Sequence, residues 1–362
     1  MNALRVLVVT CAHRGDDARI VQRQISAMID AGYQVTLIAP EPLQTQVQQH
    51  VVIRRATGRR RISSWFDVLR NVMKYRRQVD LLLVHDLELA ALLSFIPGLP
   101  QRIFDVHEDL AQSVTDRSWI PAPLSLPAQK FVQLLEKIVT FRFALILAEN
   151  SYQERFPDQL VVPNSTRVPL DCPAFVAGDN RVIYIGRISA GRGWRELLRI
   201  AEQLKGRAVV HLIGEADHDI RSDVELAHQE EVLYWHGYVA NPDALHWAEG
   251  SLIGLSLLDD LANYRHSMPT KIAEYFARGI PVISSSLPKA KELIDQSESG
   301  WIVEPPLAES TVKIIDALLL DSGQREYLGM KAHKFALENL DWNQDSKIFL
   351  TFLRTTAVKK SH

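Results

Sequence analysis

The feature that most limits the fold is a repeated alternation: a short apolar run, a stretch with helical spacing, then another apolar run. Leu4–Thr10 is a continuous apolar run of the kind that forms a strand buried on both faces. Arg19–Ala31 follows, with Ile20, Ile25, Met28 and Ile29 at helical spacing, and stops at Gly32. Gln34–Ala39 reads as the next strand, and the same alternation returns at Leu81–Val84, Arg102–Val106 and Ala144–Leu147. This pitch predicts a parallel sheet with helices on both faces. The pattern then restarts at Arg181. Val182–Ile185 reads as a strand and Trp194–Gln203 as a helix, and Val209–Ile213, Val232–Trp235, Leu252–Leu257, Pro281–Ile283 and Trp301–Val303 read as further strands. The expected class is α/β, with two doubly wound Rossmann-like halves.

A chain of 362 residues has room for two cores. The expected division is an N-terminal domain over residues 1–165, a linker over 166–180 and a C-terminal domain over 181–340. The linker is read from Pro163, Asn164, Pro169, Pro173, Gly178 and Asn180, which interrupt helix and strand alike. Ile348, Phe349, Phe352 and Leu353 predict a last amphipathic helix over 342–357, placed to cross back to the first half. The net charge of −2 points to neither nucleic acid nor an anionic surface. The two cysteines, Cys11 and Cys172, form no CxxC pattern, which argues against a disulfide scaffold or a thiolate zinc site. The first ten residues read as a strand rather than a secretory leader, and no run of about 18 apolar residues predicts a membrane span.

Three segments carry residue types suited to chemistry. Gly186-Arg187-Ile188-Ser189-Ala190-Gly191-Arg192-Gly193 follows a strand and opens a helix. A helix N-terminus offers free N–H groups and a partial positive charge to phosphate, and two arginines add forked donors. A plain solvated turn with surface arginines fits the spacing equally well. In Ser267-Met268-Pro269-Thr270-Lys271-Ile272-Ala273-Glu274-Tyr275, Ser267 suits a helix cap and Thr270 and Glu274 share a face. Glu274 is placed to bind vicinal hydroxyls such as those of a ribose, or else to pair with Lys271 at the surface. Asp105-Val106-His107-Glu108-Asp109 lies at the carboxyl end of a strand, where open parallel sheets bind ligands. His107 there is either a donor to a sugar hydroxyl or phosphate, or a satisfied loop histidine.

Together these motifs resemble glycosyltransferase family 4, whose members have the GT-B fold of two Rossmann-like domains facing across a cleft. Asp17-Ala18-Arg19-Ile20, Val162-Pro163-Asn164 and Leu212-Ile213-Gly214 are further local likenesses, so the resemblance spans nearly the whole chain. It implies a retaining enzyme that moves a hexosyl or related group from a nucleoside-diphosphate sugar to a glycan or lipid-linked acceptor. It implies that Arg187 and Arg192, with Gly186 and Gly193, hold the donor diphosphate, that Glu274 binds the ribose, and that His107 contacts the sugar near its phosphate. The turn Gly237-Tyr238-Val239 would lie beside the base, and Asp17 and Arg19 would face the acceptor or the donor phosphate. The family's second basic position is usually Lys; here it is Arg192. Many members also carry a Glu eight residues before the ribose-binding one, where this chain has His266. Amides near Ser267 and Met268, with Lys271, would then serve the sugar or phosphate.

The resemblance further implies front-face transfer without a metal or other cofactor. The leaving phosphate oxygen would take the acceptor's proton and preorganised cations would stabilise the developing charge, at about 2–4 kcal/mol for one arginine. Asp259 and Asp260 are adjacent and make no Asp-x-Asp metal motif. Between Arg54 and Arg77 lie Arg55, Arg59, Arg60, Arg61, Arg70, Lys74 and Arg76 against the single acid Asp67, with Trp65, Phe66, Leu69, Val72 and Met73 interleaved. This is either a normally packed surface helix or a basic amphipathic helix for an anionic membrane. The Trp119–Phe143 stretch reads as core or domain-surface helix. The expected setting is cytoplasmic, at the inner face of the cell membrane if the basic helix engages it, in bacterial polysaccharide or envelope assembly. Two other readings stay open: a GT-B sugar-nucleotide epimerase or phosphorylase, and a non-catalytic nucleotide-sugar-binding protein. No G-x-G-x-x-G follows either first strand, which argues against an NAD-type oxidoreductase.

Overall fold

A computed structural model describes residues 3–41, 47–57, 61–107, 122–265 and 268–358. The chain divides into two compact units, one of residues up to Asn164 together with those from Asn343 on, the other Ser165–Trp342.

The first unit is built on β1 (Arg5–Val9), β2 (Gln34–Ala39), β3 (Gln49–Val52), β4 (Leu81–Val84), β5 (Gln101–Val106), β6 (Ala144–Leu147) and β7 (Leu160–Val161). All pair in parallel, in the order β3-β2-β1-β4-β5-β6-β7. Val6–Val9 and Leu81–Val84 are fully buried, as strands covered on both faces must be. The chain leaves β1 toward β2 and β3, then returns to the other side of β1 as β4. The β1/β4 junction is therefore the point where loops diverge and leave room for a ligand. After β1 the backbone enters a π-helical stretch, Ala18–Ile25, that continues as α1 (Ser26–Asp30). Asp17 caps it by accepting from the N–H groups of Arg19 and Ile20 at 2.9 Å each.

The remaining helices of this unit are α2 (Arg61–Tyr75), α3 (Leu87–Ser94), α4 (Ala122–Arg142) and α13 (Trp342–Val358), the last grouping here from Asn343 onward. In α13, Arg354 Nε donates to the Tyr33 hydroxyl at 2.7 Å. Of the stretch read as core or domain-surface helix, Trp119 and Ile120 lie outside the described residues, and α4 exposes one face and packs Val132, Leu135 and Val139 on the core. Leu126, Phe131, Leu134 and Phe141 of α4 are exposed, while Val139 is buried. Among the described residues, no helix is long and apolar enough to cross a membrane.

The second unit has β8 (Arg181–Ile185), β9 (Val209–Ile213), β10 (Tyr234–Trp235), β11 (Ile253–Ser256), β12 (Val282–Ser285) and β13 (Gly300–Val303), in the parallel order β10-β9-β8-β11-β12-β13. Its helices are α5 (Trp194–Leu204), α6 (Arg221–Gln229), α7 (Asn241–Ala248), α8 (Ala262–Arg265), α9 (Thr270–Ala277), α10 (Pro288–Ser297), α11 (Leu307–Leu320) and α12 (Ser322–Asn339). Here the strand order reverses between β8 and β11. Residues 166–180, read from sequence as a linker, pack onto this unit. Thr166 bridges to Asp341, Val168 is buried, and Phe175 lies against the core. Prolines break regular elements there, but apolar side chains between them still find a surface to cover.

Two contacts fix α9. Gly254 in β11 leaves the space that the Tyr275 ring fills, since a Cβ at 254 would stand 2.5 Å from the ring. The Tyr275 hydroxyl then accepts the Ile185 N–H at 2.8 Å. At the other end, the buried Arg325 of α12 donates to the carbonyls of Ser251, Leu252 and Gly279. Its guanidinium also lies 4.3 Å over the Phe175 ring centroid. Leaving buried acceptors unpaired costs about 1–3 kcal/mol each. Arg325→Met fills similar volume without donors, so it is expected to destabilise the second unit by roughly 2–4 kcal/mol. Urea unfolding of the full chain measures this, and an unchanged midpoint would show that these bonds add nothing net.

Candidate functional site

In the second unit the Gly186–Gly193 segment runs from the end of β8, through a short 3₁₀ turn at Ala190–Arg192, into α5. Gly193 sits at φ 79°, and a Cβ there would meet the Leu257 carbonyl oxygen at 2.1 Å. The loop is thus drawn tightly onto the end of β11, at the point where the strand order reverses. Gly186 is required for a different reason. A Cβ at 186 would lie 2.9 Å from Lys271 Cε, so the glycine lets the lysine pass beneath the loop.

Lys271 is the most unusual cation of this unit. Its Nζ is shut off from solvent, has no hydrogen-bond partner, and stands 3.6 Å from the Tyr184 ring centroid. Burial holds its pKa well below the usual lysine range, and the Arg192 charge pushes the same way against the pull of Glu274. Arg192 is half-buried, with its guanidinium 5.8 Å from the Tyr264 ring centroid. A buried amine without a hydrogen-bond partner is an incomplete arrangement.

Arg187 is paired within the unit. Its guanidinium forks onto Asp217, with Nε to Oδ1 at 2.5 Å and an Nη to Oδ2 at 3.0 Å, and it is largely exposed. In this state its charge is already matched by a carboxylate. Glu274 is buried in α9 and accepts from Asn241 Nδ2 at 3.0 Å, which orients one carboxylate oxygen. Tyr238 is exposed beside Gly237, which has φ 67°. Met268 is half-buried against the core, and His266 and Ser267 lie outside the described residues. Asp217, Asn241 and Tyr184 were not singled out from sequence. None stands in a patterned motif, and each becomes visible only through its contact.

In the first unit the ends of β1, β4 and β5 bring together His13, His85, Asp86, Asp105 and His107. Asp105 is buried and collects donors: Arg19 at 2.8 and 2.7 Å and Gln24 at 2.9 Å, with His85 Nδ1 3.3 Å away. Despite burial, which raises it, the Arg19 charge and hydrogen bonds hold the Asp105 pKa well below the carboxylate range. Arg19 therefore faces inward and is bonded also to the Val162 carbonyl. Asp17 is spent partly as the helix cap. The ligating atoms of His85, Asp105 and His107 lie within 4.8 Å of one another. The Arg19 guanidinium already occupies both Asp105 oxygens and supplies the positive charge that a metal would bring, so this donor set does not fit a cation. His107 Nδ1 faces the Asp105 carbonyl at 3.0 Å. Burial, then the neighbouring His13, lower its pKa to about 4.

With this geometry in place, the comparisons are informative. Residues 173–335 match the family described as Glycosyl transferases group 1. The fold is similar to that of sucrose-phosphate synthase from Thermosynechococcus elongatus, at TM-score 0.71 and 16% identity over 98% of this chain and 99% of that one. It is similar to HepE of Anabaena in complex with UDP and glucose, at TM-score 0.72 and 14% identity over 97% and 100%. It is also similar to WaaG, a glycosyltransferase involved in lipopolysaccharide biosynthesis, at TM-score 0.65 and 13% identity over 95% and 98%. No curated protein sequence matches the chain. The architecture is that of GT-B glycosyltransferase structures. With the matched group 1 segment spanning the Gly186–Gly193 loop and Glu274, the chain is a glycosyltransferase.

Two ion pairs in the molecule should respond unequally to truncation. Arg19→Ala strands the buried Asp105 charge and is expected to cost about 3–5 kcal/mol. Arg187→Ala removes an exposed pair and is expected to cost less than about 1 kcal/mol. Thermal and urea unfolding of both variants reads the difference, and equal losses would contradict the inward placement of Arg19.

Proposed function

We propose that the protein is a retaining, metal-independent transferase that takes a sugar from a nucleoside-diphosphate sugar, UDP-linked in the first instance, to a glycan or lipid-linked acceptor. The observation that carries this is the buried Lys271 amine, without a hydrogen-bond partner, beneath Gly186 and beside Arg192 of the loop that leads into α5. Two cations and the free N–H groups of a helix start suit a diphosphate leaving group. Glu274, held by Asn241, suits ribose hydroxyls. The solved relative in complex with UDP-glucose supports uridine as the base to test first.

In this reading Lys271 and Arg192 stabilise the negative charge that grows on the β-phosphate as the glycosidic bond breaks. The leaving oxygen takes the acceptor's proton on the same face, so the sugar keeps its configuration. Arg187 exchanges Asp217 for the diphosphate only when donor is bound. A role in bacterial polysaccharide or envelope assembly accords with the relative involved in lipopolysaccharide biosynthesis.

A thermal-shift screen of UDP, GDP, ADP and their sugars tests the donor, because a ligand of the folded state raises its stability by mass action. Absence of any shift would overturn the reading. Lys271→Ala and Arg192→Ala are each expected to weaken UDP binding roughly 10- to 100-fold, the size of a lost charged hydrogen bond. Arg187→Ala is expected to weaken it less. The pH dependence follows from Lys271. Its pKa is depressed in the free protein and a bound diphosphate would raise it, so binding takes up protons wherever the pH lies between the free and the bound value. Affinity should then fall as pH rises above that depressed pKa, with net proton uptake on binding by calorimetry in two buffers. No uptake at any pH between 6 and 9 would remove Lys271 from the diphosphate.

The acceptor side includes membrane contact. Helix α2 exposes Ile62, Phe66 and Met73 beside Arg70 and Lys74, and Arg54, Arg55 and Arg77 are exposed around it. Helix α4 exposes Leu126, Phe131, Leu134 and Phe141 with Lys130, Lys137 and Arg142. Apolar side chains flanked by bases suit an anionic bilayer surface at the inner face of the cell membrane. The protein is expected to co-sediment with phosphatidylglycerol vesicles and not with phosphatidylcholine ones. Phe66→Glu combined with Phe141→Glu should abolish this while leaving UDP binding intact. Equal sedimentation with both lipids would refute it.

A further inference from the structure

Helix α4 has a face that neither covers the core nor belongs to the strand edge. Val132, Leu135 and Val139 pack on the core of the first unit. Gln133, Glu136, Lys137 and Phe141 follow at helical spacing on the neighbouring face. This face forms one wall of an open groove of about 550 Å³, and Arg155 and Phe156 form the other. The volume is within the roughly 300–1,000 Å³ of small-molecule sites. Helix α4 joins two parallel neighbours, β5 and β6, so it runs back from their carboxyl ends toward their amino ends. The groove lies along the later half of the helix. It therefore opens on the flank of the unit, away from His13 and His107 at the strand edge.

The inner part of the groove is a charge pair beside an aromatic ring. Glu136 and Phe156 are buried, and Arg155 is half-buried. An Arg155 Nη atom stands 3.3 Å from Glu136 Oε1, longer than the about 2.7–2.9 Å of a closed charge-assisted hydrogen bond. The Arg155 guanidinium lies 5.5 Å from the Phe156 ring centroid. At the mouth Phe141 is 81% exposed, and Gln133 and Lys137 are exposed with it. The Thr140 hydroxyl is turned back onto the Glu136 carbonyl at 2.8 Å. Arg155 is matched by Glu136, which leaves Lys137 as the one further cation lining the groove.

Three classes of ligand meet this lining differently. An anion would approach the buried Glu136 carboxylate and be repelled by it. A purely apolar ligand would take the charge pair out of water and give it no hydrogen bond in return. A neutral polyol suits the whole surface. Its hydroxyls donate to the carboxylate and accept from the guanidinium, ammonium and amide groups. The apolar C–H face of a sugar ring covers a phenyl ring. We propose that the groove binds a neutral saccharide between Phe141 and the Glu136–Arg155 pair, and that this saccharide is a non-reacting sugar of the acceptor. A sugar held on the flank anchors the acceptor without taking part in the bond that breaks. Its belonging to the acceptor rests on the transferase reading above, whereas saccharide binding itself does not.

The test is saturation-transfer NMR of the full-length protein with cellobiose, maltose, lactose and chitobiose at millimolar concentration, in the presence of excess UDP. At least one disaccharide should receive saturation, and UDP should not displace it. Phe141→Ala removes an exposed ring and should weaken that disaccharide roughly fivefold, while Phe141→Trp should keep it bound. Glu136→Gln removes the carboxylate acceptor and should weaken it roughly tenfold. Should Glu136→Gln fail to fold, Gln133→Ala on the exposed wall takes its place with the two Phe141 variants. Binding of none of the four disaccharides would overturn the proposal, and so would equal binding by the wild type and Phe141→Ala. Displacement of the disaccharide by inorganic phosphate would overturn it in favour of an anion site. Phosphatidylcholine vesicles carrying a diglucosyl lipid then separate the sources of the sugar. Co-sedimentation with these and not with plain vesicles supports a lipid-borne sugar, and binding of the free disaccharide alone supports a soluble glycan. A disaccharide that binds while no nucleotide shifts the melting point keeps the groove and removes the transferase reading. UDP binding without any saccharide binding does the reverse.

Discussion

A carboxylate buried at the end of a parallel strand has to be neutralised, and the strand edge of the first unit is organised around Asp105. Arg19 supplies the charge and Gln24 a further hydrogen bond, while His85 and the carbonyl contact of His107 close the remaining sides. A buried pair of this sort adds little net stability compared with apolar packing, yet breaking it is costly. Its value here is geometric. Arg19 comes from the helical stretch after β1, and Asp105 from β5. Their bond therefore sets where the loop carrying His13 and Asp17 stands relative to His107.

The second unit solves the opposite problem. There an amine, Lys271, is buried without a hydrogen-bond partner, and the packing that holds it is the tight approach of glycine loops to neighbouring strands. Gly193 lies on the carbonyl end of β11 and Gly186 leaves room for the lysine stem. Tyr275, seated on Gly254, fixes the helix that carries both Lys271 and Glu274. A single rigid helix thereby sets the spacing between the proposed diphosphate and ribose contacts. In one unit a buried carboxylate is satisfied by side chains of that unit, while in the other a buried amine has no hydrogen-bond partner. Arg187 stands between these cases. Its pairing with Asp217 is largely exposed and therefore adds little to stability.

Much of the fold was legible because buried parallel strands leave an apolar run that composition alone betrays. Gln34–Ala39, Leu81–Val84, Ala144–Leu147 and Val209–Ile213 have the bounds read from sequence. β3 and β7 escaped. Gln49–Val52 is polar at its start and Leu160–Val161 is two residues long, so neither gives a run to detect. The turn at Ala18–Ile25 reads as ordinary helix because apolar spacing does not separate a π turn from an α turn. Of the site, Gly186, Gly193, Lys271, Glu274 and His107 were legible from glycine, charge and strand-end position. Asp217, Asn241 and His13 were not, because each is defined by a partner 30, 33 or 94 residues away.

By itself the sequence determined two doubly wound halves, the glycine-rich turn after the first strand of the second half, and the residue types able to hold a diphosphate and a ribose. These are local properties: apolar periodicity, φ freedom at glycine, and charge at a helix start. Only the tertiary structure decided which of those charges is free. It turned Arg19 inward onto Asp105, gave Arg187 to Asp217, left Lys271 without a partner, and set His13 against His107. The reason is physical: the fate of a charge depends on desolvation and on partners from other strands, and neither is written in the residues beside it.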